Sequence, residues 1–402
     1  MIVDSYRTIQ KDECREFWAT VTWEDRTRDP VDVFMAVLNT DADLVTLNPD
    51  AFRIPAAVVA LHDAEQRITG GGPVCPALRD GLANALGWLS RWSGKSTVPP
   101  VIDLPLGCDH PDAGLGGRSA TFVSGGVDST AVLAANHASY PAGHPRHISL
   151  GIVGIGVQKS RWMSLDGVVS QLEAAREHLA PIAAETEIEI IPVATNLRAL
   201  NPSTWFWQKE YQGAVLAGIG HLFAESISNL SIASGLPISH LDRQGYHPLL
   251  DDNYATHSLS VRHELAHLGR YEKTALIASS FDLLDELHVC NASLDGDVNC
   301  GRCEKCVRTM LALEGLGLLA TSSAFPTNEL TPEDLRSVRI VERGVEGDYV
   351  ELLEPLHAAG RNDLTRVIRR RIWIERFRRQ SKAAKRQAGR LRDKLGAKIQ
   401  GA

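Results

Sequence analysis

The sequence predicts an α/β protein whose main domain is a doubly wound parallel sheet. Three observations carry that prediction. Between about residues 119 and 235, short apolar runs alternate with segments of helical spacing. Those runs are continuous rather than alternating, as expected of strands buried on both faces. The stretch "FVSGGVDST", residues 122–130, then joins the first run to a helix through a Gly-Gly turn.

The elements follow in chain order. "FWATVTW" is strand-like, and "CPALRDGLANALGWLSRW" has apolar residues at helical spacing. "VPPVIDLPL" leads into "GCDHPDAGLGGRS", which reads as a domain boundary. "ATFVSGG" is a strand, followed by a helix from Asp128. "HISLGIVGIG" is a strand, "SLDGVVSQLEAAREHLAPIA" an amphipathic helix, "EIEIIPVAT" a strand, "YQGAVLAGIGHLFAES" a helix and "NLSIASG" a strand. The expected organisation is an N-terminal α/β accessory domain over 1–115, the parallel-sheet domain over 116–325, and a helical basic region over 326–402.

The 402 residues suffice for a substantial core, and 44% hydrophobic with 23% charged is ordinary for a globular protein. No apolar run reaches membrane-span length, and "MIVDSYRTIQKDE" lacks the features of a signal peptide. The expected compartment is the cytoplasm. The formal net charge is −7. From Arg366 to Lys398 there are fourteen Lys or Arg against Glu375 and Asp393, a local +12, so the remainder carries −7 − 12 = −19.

Backbone N–H groups at a helix start, freed by Gly125 and Gly126, form an anion cradle. Ser124, Ser129 and Thr130 add hydroxyls. Asp128, itself an anion, makes sense if Mg²⁺ lies between it and phosphates. The turn therefore suits a magnesium polyphosphate. It lacks the Gly-Lys-Ser/Thr ending of a Walker loop.

"SGGVDST" resembles the signature of the PP-loop, or N-type, ATP pyrophosphatases. The resemblance implies an adenine nucleotide alpha hydrolase-like fold. It also implies transfer of AMP from ATP to a substrate oxygen, with release of pyrophosphate. Four of the seven cysteines, Cys290, Cys300, Cys303 and Cys306, are spaced C-x9-C-x2-C-x2-C. They supply four thiolates for a closed, structural Zn²⁺ site, with an iron–sulfur cluster as the competing metal. With Cys300-Gly301, Arg308 and "LALEGLG" following, this run resembles that of 7-cyano-7-deazaguanine synthases. "YEKTAL" resembles the helix start whose lysine faces the phosphates in that family, and Lys273 is the counterpart. The match covers about residues 119–320. The segment "SHLDRQGYHPLLDDNYATHSLSVRHELAHLGR" departs from the family's substrate-holding segment, so the substrate does not carry over.

Further candidates are Asp251 and Asp252, for Mg²⁺ or a substrate amine, and Asn196 and Arg198 after the third strand of the parallel run, facing the nucleotide. Gly154, in "GIVGIG", brings backbone close to adenine. His240, His247, His257 and His263 lack metal spacing and read as ordinary histidines. The chain begins Met-Ile, without the Cys, Ser or Thr of an N-terminal nucleophile, so a fused glutaminase of that kind is not expected. The first 115 residues show no Cys/His glutaminase motif. The nitrogen source is then free ammonia, an amine or a separate donor protein. The basic tail, with Ile368, Trp373 and Phe377 among arginines, reads first as a helix docked on an acidic body, with RNA or an anionic membrane as alternatives. The expected function is an AMP-forming, ATP-dependent ligase that aminates a small molecule. The alternative is ATP-dependent thiolation of tRNA or a small molecule, and a non-enzymatic nucleotide binder is a third reading.

Overall fold

A computed structural model describes residues 1–25, 28–94, 98–107, 117–157, 167–290, 299–340 and 343–400, with only the backbone of 343 and 382–400. The chain forms two compact units. The first is Met1–Leu268 with Leu276–His288; the second is Gly269–Ala275 with Val289–Ala402.

The first unit is built on one sheet. Its strands are β1 (Ile2–Gln10), β2 (Cys14–Thr22), β3 (Val31–Leu38), β4 (Arg67–Gly70), β5 (Val101–Ile102), β6 (Arg118–Phe122), β7 (Ile148–Ile155), β8 (Glu189–Thr195), β9 (Ile227–Ala233) and β10 (Ser260–Glu264), in the order β10-β9-β6-β7-β8-β3-β2-β1-β4-β5. From β10 to β8 all neighbours are parallel. β8–β3, β3–β2 and β2–β1 are antiparallel, while β4 and β5 extend the far edge parallel to β1. The parallel block, renumbered from β6, has the order 3-2-1-4-5. The chain winds outward from β6 through β7 to β8, then returns past β6 to lay down β9 and β10.

Both faces of this sheet are covered. On β3, Val33, Met35 and Val37 enter the larger core, while Phe34, Ala36 and Leu38 join a second cluster with Val168 and Leu172 of the Val168–His178 helix. The larger core also takes Ala214, Val215, Ala217 and Ile219 from the Gln212–His221 helix and the apolar length of the Asp50–His62 helix. These two helices approach until Gly218 leaves no room for a side chain; a Cβ there would lie 2.5 Å from the Ala51 carbonyl oxygen.

The sequence suggested a boundary near residue 115. Instead the sheet continues across it. Thr195 and Ala194 of β8 pair with Met35 and Ala36 of β3, so the first strands and the parallel block share one sheet. Val31–Leu38, not read as a strand from sequence, is what makes the join. Asn196 stitches it. Its Oδ1 accepts from Phe34 N–H at 2.7 Å and its Nδ2 donates to the Asp32 carbonyl at 3.0 Å. The amide expected to face a nucleotide is consumed by the strand beside it. The predicted helix over 164–183 is two helices, Val168–His178 and Ala180–Thr186. Pro181 in the first turn of the second lacks the N–H that a continuous helix would need.

The second unit is helical. Glu304–Gly315, Leu353–Ala358 and Asn362–Gln400 bury Met310, Leu311, Leu356, Leu364 and Ile368. The basic tail is therefore not a loose appendage at its start. Ile368 is fully buried, Arg376 and Arg379 pair with Glu346, and Trp373 and Phe377 are exposed. Among the described residues, no helix is long and apolar enough to cross a membrane.

Removing the stitch should be measurable. Asn196→Ala leaves the Phe34 N–H without its acceptor, which should cost about 1–3 kcal/mol. A lowered urea midpoint with an unchanged slope is the expected result; an unchanged midpoint would mean that the β3–β8 seam does not depend on this amide.

Candidate functional site

The turn after β6 lies where winding reverses, with β7 on one side and β9 on the other. In open α/β sheets this position, at the carboxyl ends of the strands, is where a crevice forms. Val123 N–H still bonds to Ile152 of β7 at 2.9 Å, so the turn begins from a fixed strand. Gly125 has φ of +71°, and a Cβ there would lie 3.3 Å from both His288 and Leu179. Position 125 thus needs glycine for conformation as well as for space. The His288 N–H donates to the Gly125 carbonyl at 2.8 Å, and the His288 ring packs on His178 with centroids 3.9 Å apart. Sequence reasoning missed both histidines, since neither stands near the turn in the chain.

Gly126 caps the Val127–Ser139 helix in an extended conformation. Its carbonyl accepts from the hydroxyls of Ser129 (3.1 Å) and Thr130 (3.0 Å), and Ser129 Oγ accepts from Ser124 N–H at 3.2 Å. The serine and threonine expected to reach a ligand are buried and shape the turn. Ser124 is exposed and Asp128 half-buried in the first helical turn. The first N–H groups of a helix have no carbonyl of their own to bond to. Here they follow directly from a strand's carboxyl end, an arrangement suited to an anion.

The other expected residues separate. Gly154 is filled over by side chains; a Cβ would meet Val157 at 3.2 Å and Ile219 at 3.6 Å, and the left-handed glycine of that stretch is Gly156. Arg198 is half-buried after β8, with its guanidinium 5.0 Å from the Trp207 ring centre. It makes only long contacts to the carbonyls of Val157 (3.5 Å) and Pro202 (3.4 Å), and its Nε has no partner in the described structure. Burial pushes its pKa below the usual arginine value. Of the secondary candidates, it keeps an unspent N–H at the carboxyl edge.

Asp251 is fully buried. Its Oδ2 lies 2.7 Å from His263 Nδ1, and Oδ1 fits against Gly213, where a Cβ would come within 2.1 Å. Burial raises its carboxyl pKa, against the pull of His263. Asp252 is exposed and accepts from the His263 N–H at 3.1 Å. The sequence left His263 as an ordinary histidine; the fold makes it the partner of Asp251. His247 is also buried, and accepts from the Leu249 N–H at 3.1 Å. Burial, with His263 nearby, lowers its pKa to about 4.

In the second unit, Lys273 is only 1% exposed, so it is not a solvated helix lysine. It shares a buried charged region with Glu351, whose pKa burial, together with Asp348 and Glu272, raises to about 7 while Lys273 pulls it down. Arg308, at the start of this region, pairs with the buried Asp348 and reaches Glu304 at 3.1 Å.

The four cysteines converge. Their sulfurs all lie within 4.8 Å of one another; Cys290–Cys303 is 3.8 Å, Cys300–Cys306 3.9 Å and Cys303–Cys306 3.4 Å. A tetrahedron with metal–sulfur bonds of about 2.3 Å has edges of about 3.8 Å, so this is the size of a single-ion thiolate site. Gly301, with φ of +68°, turns the chain between ligands. Cys303 caps the Glu304–Gly315 helix and Cys306 lies in its first turn, where the helix dipole favours thiolates. Asn299 positions the remote ligand, since its Oδ1 accepts from the N–H groups of Val289 (2.9 Å) and Cys290 (3.2 Å). The close contact between the Cys303 and Cys306 sulfurs draws Cys303 down to about 4 and pushes Cys306 far above the usual thiol range. A cation resolves that conflict. This cluster could hold a metal ion, and among the described residues no other group of His, Cys, Asp or Glu converges in this way.

Set against known proteins, the chain matches no family model, no curated protein and no solved structure.

The lowered His247 pKa has a signed consequence. Between about pH 6.5 and 4 the unfolded chain takes a proton that the folded one refuses, so stability falls as pH drops through that window. The loss should be on the order of 1–3 kcal/mol. His247→Asn keeps a cap acceptor without the titration and should flatten the fall. Urea midpoints at pH 7 and pH 4.5 decide it, and parallel pH curves for both proteins would count against the assignment.

Proposed function

We propose that the protein is an ATP-dependent, AMP-forming ligase, with magnesium-ATP held on the turn Ser124–Thr130. One observation carries the reading. A Gly-Gly turn with an aspartate in the first helical turn stands at the winding reversal of a 3-2-1-4-5 parallel block. The resemblance of "SGGVDST" to the PP-loop ATP pyrophosphatases supports the same reaction class. The acceptor is a small molecule whose carboxylate or amide oxygen attacks the α-phosphorus. Pyrophosphate leaves, and ammonia or an amine then displaces AMP.

The chain's own part is positional. The first-turn N–H groups hold the anionic end of the nucleotide, Gly125 and Gly126 let it approach, and His288 holds the turn in shape. Asp128 would hold Mg²⁺, which neutralises charge on the departing pyrophosphate when bound. Arg198 offers a further cation at the same edge. Lys273, which the resemblance assigns to the phosphates, is buried among acids of the second unit. The reading does not rest on it.

Thiolation is less well supported. It needs a persulfide-forming cysteine at the carboxyl edge of the parallel strands. Cys14 is buried in an apolar cluster, with its thiol pushed up by burial and by Glu16. Cys75 lies at the opposite end of the sheet, as shown below, and Cys108 lies outside the described residues. For the four-cysteine cluster we propose structural Zn²⁺. Four sulfurs on one small tetrahedron suit a single ion with no open position, whereas an iron–sulfur cluster places several metals and sulfides between its cysteines.

Two outcomes test these assignments. Incubation with ATP, acceptor and ammonia should yield AMP and pyrophosphate, and Asp128→Ala should lower turnover by about 100-fold or more with the fold retained. ADP and phosphate as the main products would remove the protein from this reaction class. Elemental analysis should find one zinc per chain, and Cys303→Ser should give destabilised, zinc-poor protein. Iron with sulfide, or a fully stable metal-free protein, would defeat the zinc assignment.

A further inference from the structure

Cys75 and His257 are far apart in the chain, and the nucleotide reading uses neither. In the fold, Cys75 Sγ lies 3.6 Å from His257 Nδ1. The approach is built from several directions. After β4 the chain passes through "GGGPVC", where Gly72 takes φ of +81°. Arg53, buried and paired with Asp50 at 3.2 Å, donates to the carbonyls of Gly71, Gly72 (2.9 Å) and Pro73 (2.6 Å) and clamps that loop. The clamp delivers Cys75 to the N-cap of the 18-residue Pro76–Ser93 helix. Pro76 has no N–H, so the first N–H groups of the helix after the cap belong to Ala77 and Leu78, and they help draw the thiol pKa down.

We propose that Cys75, with His257, is a nucleophilic thiol site that takes small sulfur electrophiles. Cys75 as a residue is 6% exposed, and His257 beside it is exposed. With a low-molecular-weight disulfide the step balances as a thiol exchange. Cys75 passes its proton to His257, and Sγ attacks one sulfur of the disulfide. The old S–S bond breaks as the new one forms, and the leaving thiolate takes the proton from His257.

The surrounding charges are consistent with a stabilised thiolate. Burial raises the thiol pKa, but the Leu78 N–H, the His257 ring and N–H, and the Ala77 N–H together outweigh it, and the net shift is downward. Arg53 stands behind the loop. Arg79 and Asp80 of this helix pair with each other at 2.7 Å, and the Asp252 carboxylate accepts from the His263 N–H. His257 is the titratable group in contact with the sulfur. The other comparison within the chain is Cys14, whose thiol burial pushes up.

Strand direction makes this a separate site. His257 precedes β10, at the amino end of the parallel block, whereas the Ser124–Thr130 turn follows the carboxyl end of β6. Modification of Cys75 is therefore not a step in nucleotide chemistry, and the proposal stands whether or not that reading does.

The test uses the full-length, zinc-loaded protein, with iodoacetamide and oxidised glutathione as probes and peptide-resolved mass spectrometry as readout. At pH 7 Cys75 should react at least about tenfold faster than Cys14, with a pH inflection below the ordinary thiol value of about 8.5. His257→Ala and His257→Gln should each slow Cys75 about tenfold at pH 7 and move the inflection upward. Both replace an exposed side chain, and an unchanged melting temperature confirms that the fold is intact. Reaction no faster than Cys14, an inflection at or above 8.5, or a rate indifferent to both His257 variants would overturn the proposal.

Discussion

Parallel strands must be covered on both faces, and each must be joined to the next by a crossover. Much of the first unit follows from that constraint. Crossovers are right-handed, so a chain that builds outward from β6 and then returns past it must place its helices on opposite faces. The reversal leaves the carboxyl ends of β6 and β9 without a crossover between them. The Gly-Gly turn stands at that opening. Its glycines, its inward-turned hydroxyls and the His288 bond set the shape of a cradle whose location the strand order had already determined.

The same constraint accounts for the N-terminal strands. β8 would be an exposed edge of a parallel block, and an open edge invites pairing with another chain. β3 covers it in antiparallel sense, and the Asn196 amide fastens the join. The first hundred residues are thus an extension of the sheet. The second unit obeys a different rule. It buries Arg308, Asp348 and Lys273 beside the half-buried Glu351, at a desolvation cost that only mutual pairing offsets, and it carries four cysteines whose sulfurs could hold a metal ion.

Much of this was legible in the chain. Continuous apolar runs gave β6 to β9, because burial on both faces removes alternation. The cysteine spacing gave the cluster, because two Cys-x-x-Cys steps on a glycine turn have few other uses. The domain boundary was misread, since Val31–Leu38 was not recognised as a strand and nothing local shows that it will pair with residues 160 positions away. His288, Asn299 and the Asp251–His263 pair were missed for the same reason. Each acts through a contact made by the fold, and a lone histidine or asparagine carries no local signal of its partner. Gly154 and the hydroxyls of Ser129 and Thr130 were read as ligand-facing because their type and position allowed it; packing assigned them to the turn and the sheet instead. Cys75 carries no local signal of its partner either, and only the tertiary approach of His257 gives it a chemical setting.

The central claim is that the turn after β6 activates an acceptor oxygen as its adenylate. The most direct measurement is exchange of labelled pyrophosphate into ATP, screened over small carboxylic acids without any nitrogen donor. The account predicts exchange that requires one class of carboxylate and Mg²⁺, and that is suppressed when ammonia drains the adenylate. Tight magnesium-ATP binding with no acceptor-dependent exchange across the screen would contradict it.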